Sequence, residues 1–212
     1  MEDLLGIITR SAWISGTATL LASTWSIVIA YYSTRSHILK SLLIPVFEAL
    51  IGIPTVLVGL LVYMLVCVKC PLGFTGLLYT PYAIMLGQAI LITPLITAVV
   101  YRVFEETSKT YGELVLSLGG SEKQVFATVI YQSLPGVIAG IVMGFSRAIG
   151  ELGIALLVGG NIRGYTRVVS TAIALMVSQG DLEGAMMLGL VLVLLTIGVS
   201  LAIRSFRRIY EW

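Results

Sequence analysis

The sequence predicts an all-α, polytopic membrane protein with about five transmembrane helices. Of its 212 residues, 58% are hydrophobic and 11% are charged, whereas soluble domains average about 45–50% apolar and about 25% charged residues. A single core could not bury this much apolar surface, so lipid must cover part of it. Uncharged windows of at least the roughly 20 residues needed to cross the hydrocarbon layer occupy residues 11–34, 49–68, 70–101, 124–146 and 184–203.

The five predicted spans belong to one domain, 1–212, and cover residues 12–33, 54–67, 80–101, 135–157 and 184–203. The first is rich in Ser, Thr and Ala, which let helices approach closely, so we expect it to pack on protein. Prolines interrupt the second apolar stretch, and we therefore expect a short interfacial helix around residues 40–50 before that span. The apolar run 168–180 is too short to cross and indicates a helix at the outer boundary.

A polar stretch at residues 105–121, EETSKTYGELVLSLGGS, separates the third and fourth spans. Thr110 and Glu113 fit a capping box, and Gly119-Gly120 fits a helix end. The spacing i, i+3, i+4 and i+7 predicts a single apolar stripe on a short helix, formed by Tyr111, Leu114, Val115 and Leu118.

If this stretch is cytoplasmic, five spans place the N-terminus outside and the C-terminus inside. Cations then obey the positive-inside rule. Those inside are Arg35, Lys40, Arg102, Lys109, Lys123, Arg204, Arg207 and Arg208; those outside are Arg10, Lys69, Arg163 and Arg167. The net charge of +2 gives no reason to expect a nucleic acid partner.

Three motifs carry a resemblance to a known family. The run from Glu113 to Gly119, with Val129 downstream, resembles the signature of the permease subunits of ABC importers, although two other apolar residues replace its alanines. The run Arg147-Ala-Ile-Gly-Glu151 and the segment that begins at Gly159-Gly160-Asn161 are similar to those of oxyanion permeases, most of all the tungstate branch.

The resemblance implies the type I importer permease fold, in which the 105–121 stretch is a cytoplasmic coupling helix seated on an ATPase subunit. The residues expected to contact the ATPase are Glu113, Leu114, Val115, Leu118, Gly119 and Gly120. The resemblance further implies a homodimer in the plasma or inner membrane, two ATPase subunits and an extracytoplasmic solute-binding protein. The expected substrate is tungstate, with molybdate or sulfate as alternatives.

Catalysis is expected to reside in the partner. The sequence has no Walker motif, so ATP and Mg would bind the ATPase, and we expect neither enzyme activity, a cofactor nor a metal in this chain.

Arg147 and Glu151 are the only charges well inside an apolar span, and their i, i+4 spacing lets them pair. Such a pair either orders the helix bundle or gates an anion route. Gly140 and Gly144 belong to a strip of small residues that predicts close helix crossing, and in the fold implied by the resemblance this strip would lie near the pathway.

The turn containing Gly159, Gly160, Asn161 and Arg163 has three open interpretations. Its backbone N–H groups and arginine could receive a tetrahedral oxyanion, it could be where a binding protein docks, or it could be only a tight turn. Cys67 and Cys70 are either two free thiols or an outside-facing disulfide, since they lack the further ligands of a zinc site.

Two other function classes remain open. An ion-coupled secondary transporter or channel would use Arg147 and Glu151 as its ionisable site, although five spans do not divide into the two equal repeats common in such proteins. In a membrane scaffold without transport, the helix at 105–121 would only recruit a partner.

Overall fold

The computed structural model describes residues 4–210, and of residues 203–210 it describes only the backbone. The side chains of Arg204, Arg207 and Arg208 therefore lie outside the described part. Within it the chain is helical apart from short connections, which confirms the all-α prediction. The helices are α1 (Leu4–Arg35), α2 (His37–Leu50), α3 (Thr55–Val66), α4 (Pro81–Thr107), α5 (Glu113–Ser117), α6 (Glu122–Ile149), α7 (Gly153–Gly159), α8 (Val169–Ser178) and α9 (Leu182–Tyr210).

Four stretches among the described residues are long and apolar enough to cross a bilayer, and a bent pair of helices makes a possible fifth. The four are Leu4–Arg35, Pro81–Ser117, Glu122–Ile149 and Leu182–Ala202. The spans predicted at 12–33, 80–101 and 184–203 lie inside the first, second and fourth of these, except for the first residue of the second and the final residue of the last.

The centre of the fold is α4, which packs against α1 and α6 and is mostly buried. The side of α1 that faces it consists of small and hydroxylated residues at helical spacing, as the composition of this span predicts. The indole Nε1 of Trp25 on α1 also donates to the Thr93 hydroxyl on α4, at 2.8 Å. Small side chains thus let the two helices approach, and a polar bond joins them.

The second span is broken, as its prolines predict. Helices α2 and α3 are bent by 105° across the break, and the ion pair between Glu48 and Arg102, at 2.7 Å, ties α2 to the C-terminal part of α4. With 12 residues, α3 is about 18 Å long at 1.5 Å per residue. It therefore crosses only part of the roughly 30 Å hydrocarbon layer.

The prediction of one continuous span at 135–157 is wrong at both ends. Helix α6 already begins at Glu122, where Ser121 and Gln124 form a capping box, and it stops at Ile149. The chain resumes as α7 at Gly153. Hydropathy alone missed this break because the residues that interrupt the helix are flanked by apolar ones.

Two short helices, α3 and α7, lie side by side. A methyl group on Gly59 would come within 3.2 Å of the Ile154 Cα, and one on Gly153 within 3.3 Å of the Val56 backbone nitrogen. Glycine at both positions therefore allows the backbones to touch, so that the two helix starts meet inside the protein.

The glycine strip of α6 faces α4 of the same chain. Gly140 lies against Val99 and Val100, and a methyl group on Gly144 would lie 2.6 Å from the Ile96 Cδ1. Both glycines are buried. The prediction of close helix crossing is confirmed, and the place of this strip near a translocation pathway stays a prediction.

Replacing Gly144 by leucine should destabilise the helix pair, because the Ile96 side chain is fully buried and has no space to withdraw. Overpacking of this kind costs about 1–3 kcal/mol. Gly189→Leu on α9 is the control, since nothing lies within 4 Å of a methyl group there. Thermal unfolding in detergent measures both variants. Equal melting temperatures for Gly144→Leu and Gly189→Leu would contradict the packing account.

Candidate functional site

At its C-terminal end, α4 continues into α5 without interruption. Residues Ser108–Gly112 form a π-helical turn between them, and Gly112 keeps helical backbone angles. The predicted capping box at Thr110 and Glu113 is wrong, because a cap needs a non-helical residue before the helix and the backbone here stays helical. Single π turns are frequent at functional sites, and this one joins the central helix to α5.

The end of α5 matches its prediction. Gly119 has φ +79°, its N–H donates to the Leu116 carbonyl at 3.0 Å, and the Gly120 N–H donates to the Val115 carbonyl at 2.8 Å. This is the Schellman arrangement, in which a left-handed glycine satisfies the last carbonyls of a helix. It fixes the direction in which the chain leaves α5 towards α6.

The exposed side chains of α5 differ in part from the predicted stripe. Leu118 is 79% exposed, and Leu114 and Leu116 are about half exposed. Val115 instead turns towards Gly120 and α6. Three members of the predicted stripe, Tyr111, Leu114 and Leu118, are thus exposed, whereas Val115 is half-buried. Leu116, which the stripe did not include, is exposed as well. The contact of these residues with an ATPase stays a prediction.

Ion pairs connect α2 to the last turns of α4, just beyond the uncharged window that ends at Tyr101. The Lys40 ammonium bonds to the Glu105 carboxylate, and Lys109 lies 3.5 Å from the same oxygen. The hydrogen bond from Lys40, with the charge of Lys109 adding to it, lowers the pKa of the Glu105 carboxyl. Glu105 therefore stays ionised at neutral pH and holds α2 beside the π turn.

Glu151 is a buried carboxylate that lies in the break between α6 and α7 rather than on a continuous helix. Its side chain is 2% exposed. One carboxylate oxygen accepts from the Arg147 guanidinium at 2.9 Å and the other from the Ile154 N–H at 3.3 Å. The Ser170 hydroxyl donates to its carbonyl oxygen at 2.8 Å.

The two members of this pair are held differently. Protein surrounds Glu151, whereas the Arg147 side chain is 40% exposed. Next to the break, the Gln88 side-chain N–H₂ donates to the Ala148 carbonyl at 3.0 Å. The predicted pairing is thus confirmed, and the geometry adds that the carboxylate is fixed while the guanidinium faces open space.

The turn at Gly159, Gly160, Asn161 and Arg163 uses much of its polar backbone internally. The N–H of Gly160 donates to the Leu156 carbonyl, and the N–H of Ile162 to the Thr166 hydroxyl. These two groups are therefore not free for an oxyanion. Arg163 is exposed.

Two side chains hold this turn closed, one from the predicted set, Asn161, and one that was not predicted, Thr166. Asn161, at φ +51°, accepts from the Arg167 guanidinium at 3.1 Å. Thr166 is fully buried and donates to the Gly159 carbonyl at 2.5 Å. Hydropathy gives no signal for either role, because each depends on contacts that form only when the turn closes.

The loop after α3 packs beside this turn. Cys67 and Cys70 are joined by a disulfide, so the interpretation as two free thiols is wrong. Farther along, the Tyr79 N–H donates to the Val158 carbonyl at 2.8 Å, and the Tyr79 ring lies against Gly160. The loop at residues 67–80, called the disulfide loop below, and the turn after α7 thus form one surface.

Taken together, a bundle of membrane-crossing helices with a short exposed helix at one side and a buried ion pair within it matches a known class of transport protein. Residues 22–211 match the family model described as "Binding-protein-dependent transport system inner membrane component". The chain belongs to this family and is an inner membrane component of an ABC transporter.

Among its relatives is the tungstate uptake system permease protein TupB of Peptoclostridium acidaminophilum, 37% identical over 202 residues, which cover 95% of this chain and 89% of the relative. The protein of the same name from Campylobacter jejuni is 32% identical over 199 residues, which cover 90% of this chain and 83% of the relative. A probable anion ABC transporter permease of Haloferax volcanii is 30% identical, over 96% of this chain and 90% of the relative.

Removing the arginine of the buried pair should destabilise the protein, because Arg147→Ala leaves the buried Glu151 carboxylate with only the Ile154 N–H. A fully buried pair broken in this way costs about 3–5 kcal/mol. We expect a smaller loss of stability, about 2 kcal/mol, since the Arg147 side chain is 40% exposed. Thermal unfolding in detergent measures the loss.

The double variant Arg147→Ala/Glu151→Gln is the matched control. Its glutamine removes the unpaired charge and keeps an oxygen for the Ile154 N–H, so it should recover part of the lost stability. A single Arg147→Ala variant as stable as the wild type would show that the ion pair does not stabilise the fold.

Proposed function

We propose that two copies of this chain form the membrane pathway of an ATP-driven importer whose substrate is tungstate. The observation that carries the substrate is the similarity along nearly the whole chain to two permeases named for tungstate uptake. Molybdate and sulfate, which share the tetrahedral geometry and the double negative charge, are the alternatives that the experiment below separates.

Two ATPase subunits bind at the cytoplasmic side and contact α5. Support comes from Leu114, Leu116 and Leu118, which expose apolar surface on a helix that lies beyond the membrane-crossing part of α4. Exposed apolar patches of this kind mark protein contacts. ATP and Mg bind the ATPase, so this chain contributes no catalytic group. The orientation that follows has the N-terminus outside and the C-terminus in the cytoplasm.

Nucleotide binding drives the cycle through α5. When ATP closes the two ATPase subunits, the two α5 helices move together and bias the permease pair from inward-open to outward-open. The π turn at Ser108–Gly112 lies where this motion enters α4. Hydrolysis reverses the shift.

The polar pair Arg147–Glu151 acts as a gate on the anion route. The half-exposed guanidinium can meet a passing dianion, whereas the buried carboxylate supplies the competing negative charge that lets the anion leave. Charged groups at membrane depth are costly and generally face a bundle interior or an aqueous path. The partial exposure of Arg147 therefore supports a role on the anion route over one limited to ordering the helix bundle.

The solute-binding protein docks outside, on the surface formed by the turn Gly159–Gly164 and the disulfide loop. Ile162, Tyr165 and Phe74 expose apolar side chains there, and Arg163 adds an exposed cation. The internal hydrogen bonds of the turn make it a preformed surface, which lowers the entropic cost of docking.

A secondary transporter or channel is the less favoured function, since the family to which the chain belongs works with a binding protein. A scaffold without transport would leave the half-exposed Arg147 unused.

Charging the exposed face of α5 should weaken ATPase docking. Leu118→Glu places a carboxylate at the most exposed apolar position of α5, so less ATPase should co-purify with the permease. Lys123→Gln is the control, because it changes the net charge equally, by one negative unit, at an exposed polar position of the next helix. Full recovery of ATPase with Leu118→Glu would remove α5 from the interface.

The transport proposal is tested by the ATPase activity of the permease–ATPase complex in lipid, with the binding protein loaded with tungstate, molybdate or sulfate. Stimulation by the tungstate-loaded form above the other two is the expected result. Preferential stimulation by another anion reassigns the substrate. With an intact complex, no stimulation by any of the three would overturn the oxyanion import proposal.

A further inference from the structure

An apolar cleft of about 420 Å³ opens where α9 meets the N-terminal part of α1 and α8. Ile7 and Ile8 of α1, Leu175 of α8, and Leu188 and Val191 of α9 contribute its apolar wall. The cleft is separate from the Arg147–Glu151 pair, from α5 and from the disulfide loop, and neither the family nor the relatives assign it a ligand.

The depth of the cleft matches one leaflet of a bilayer. Its lining on α9 runs from Asp181, just before the helix, to Val191, a distance of about 15 Å along a helix axis. This is about half of the roughly 30 Å hydrocarbon layer. Both α1 and α9 begin at this end of the molecule, so the cleft extends from the headgroup level into the hydrocarbon of that leaflet.

Two charged residues of opposite sign lie at the headgroup end of the cleft. Arg167 lines it, with its guanidinium oriented by the Asn161 side chain at 3.1 Å. Asp181 also lines it, and one of its carboxylate oxygens accepts the Gly184 N–H at 2.9 Å. Both charges are thus held in position before any ligand arrives, which favours binding.

The surroundings of the cleft require something to fill it. Of the membrane-crossing window of α9, only a small share is buried. The helix packs mainly on α8 and to a lesser extent on α6, and Leu188 belongs to a small cluster with Ile7 of α1 and with Val169 and Ala172 of α8. An apolar opening at membrane depth excludes water, and in a bilayer the molecules available to fill it are lipid chains.

We propose that this cleft binds one phospholipid whose headgroup carries both a phosphate and an ammonium group, of the phosphatidylethanolamine type. An acyl chain lies between α1 and α9, the phosphate meets Arg167 and the ammonium meets Asp181. A guanidinium matches phosphate oxygens in geometry and charge, and the carboxylate beside it selects a zwitterionic headgroup over an anionic one. The lipid thereby joins α9 to the rest of the fold.

Native mass spectrometry of the full-length chain in mild detergent tests this proposal by titration with dioleoylphosphatidylethanolamine or dioleoylphosphatidylglycerol. The acyl chains of these two probes are identical, so any difference reports the headgroup. We expect saturable binding of one phosphatidylethanolamine per chain and weaker binding of phosphatidylglycerol. Equal binding of both lipids, or no saturable binding of either, overturns the proposal.

Two pairs of variants locate the bound lipid. Met187→Trp narrows the cleft, whereas Met186→Trp makes the same change at the neighbouring position, which is exposed and does not line it. Binding should be lost in the first and kept in the second. Size-exclusion chromatography shows whether each is folded. If Met187→Trp disrupts a dimer and leaves lipid binding intact, the cleft holds a second copy of the chain and the proposal is wrong.

The second pair tests the headgroup without changing the shape of the cleft. Asp181→Asn keeps an oxygen for the Gly184 N–H and removes the negative charge, so phosphatidylethanolamine affinity should fall about two- to fivefold, as for other partly exposed ion pairs. Glu183→Gln removes a nearby exposed acid that does not line the cleft and should leave the affinity unchanged. Unchanged affinity in Asp181→Asn contradicts the assigned headgroup orientation.

Discussion

The structure depends on one constraint, namely that no backbone polar group can be left unsatisfied at membrane depth. Two helices break inside the apolar part of the chain, before Thr55 and before Gly153, and each break frees N–H and carbonyl groups. The fold satisfies the second break with the Glu151 carboxylate, which accepts the Ile154 N–H, and with Ser170, which donates to the Glu151 carbonyl. Because α3 and α7 touch at Gly59 and Gly153, the two breaks lie close together.

This arrangement makes α4 the element that connects the ends of the molecule. In its N-terminal third Gln88 bonds to the last turn of α6, next to the break, and near its C-terminal end Glu105 bonds to Lys40 of α2. Helix α4 has 27 residues and is about 40 Å long, with its middle packed tightly against α6. One continuous helix therefore connects α5 to the break, and the π turn is the place along this route where a change of helical register is cheapest.

The sequence predicted what depends on composition and local chemistry, and it failed where tertiary contacts decide. Hydropathy located the apolar spans, and the prolines located the α2–α3 break. The α6–α7 break was missed because Gly150 and Gly153 interrupt the helix without changing the hydropathy of the stretch, whereas here they flank a carboxylate that caps the next helix. Helical periodicity gave no sign of the π turn before α5, since no local signal distinguishes a π turn from an α turn. The partners of Asn161 and Thr166 are set by the closed turn and have no pattern in the sequence.

The asymmetry of the Arg147–Glu151 pair bears on how it can serve transport. A buried ion pair is seldom more stable than a well-packed apolar pair of the same volume, so stability alone gives a weak reason for this one. Glu151 cannot leave without uncovering the Ile154 N–H and disturbing the break, whereas Arg147 has open space on one side. The pair can therefore separate only by movement of the guanidinium. In the proposed gate, a dianion that attracts Arg147 would leave the carboxylate in place, and the same carboxylate would draw the guanidinium back once the anion had passed. Such a pair would return to one closed state without further control, which is the property that a gate on an anion route requires.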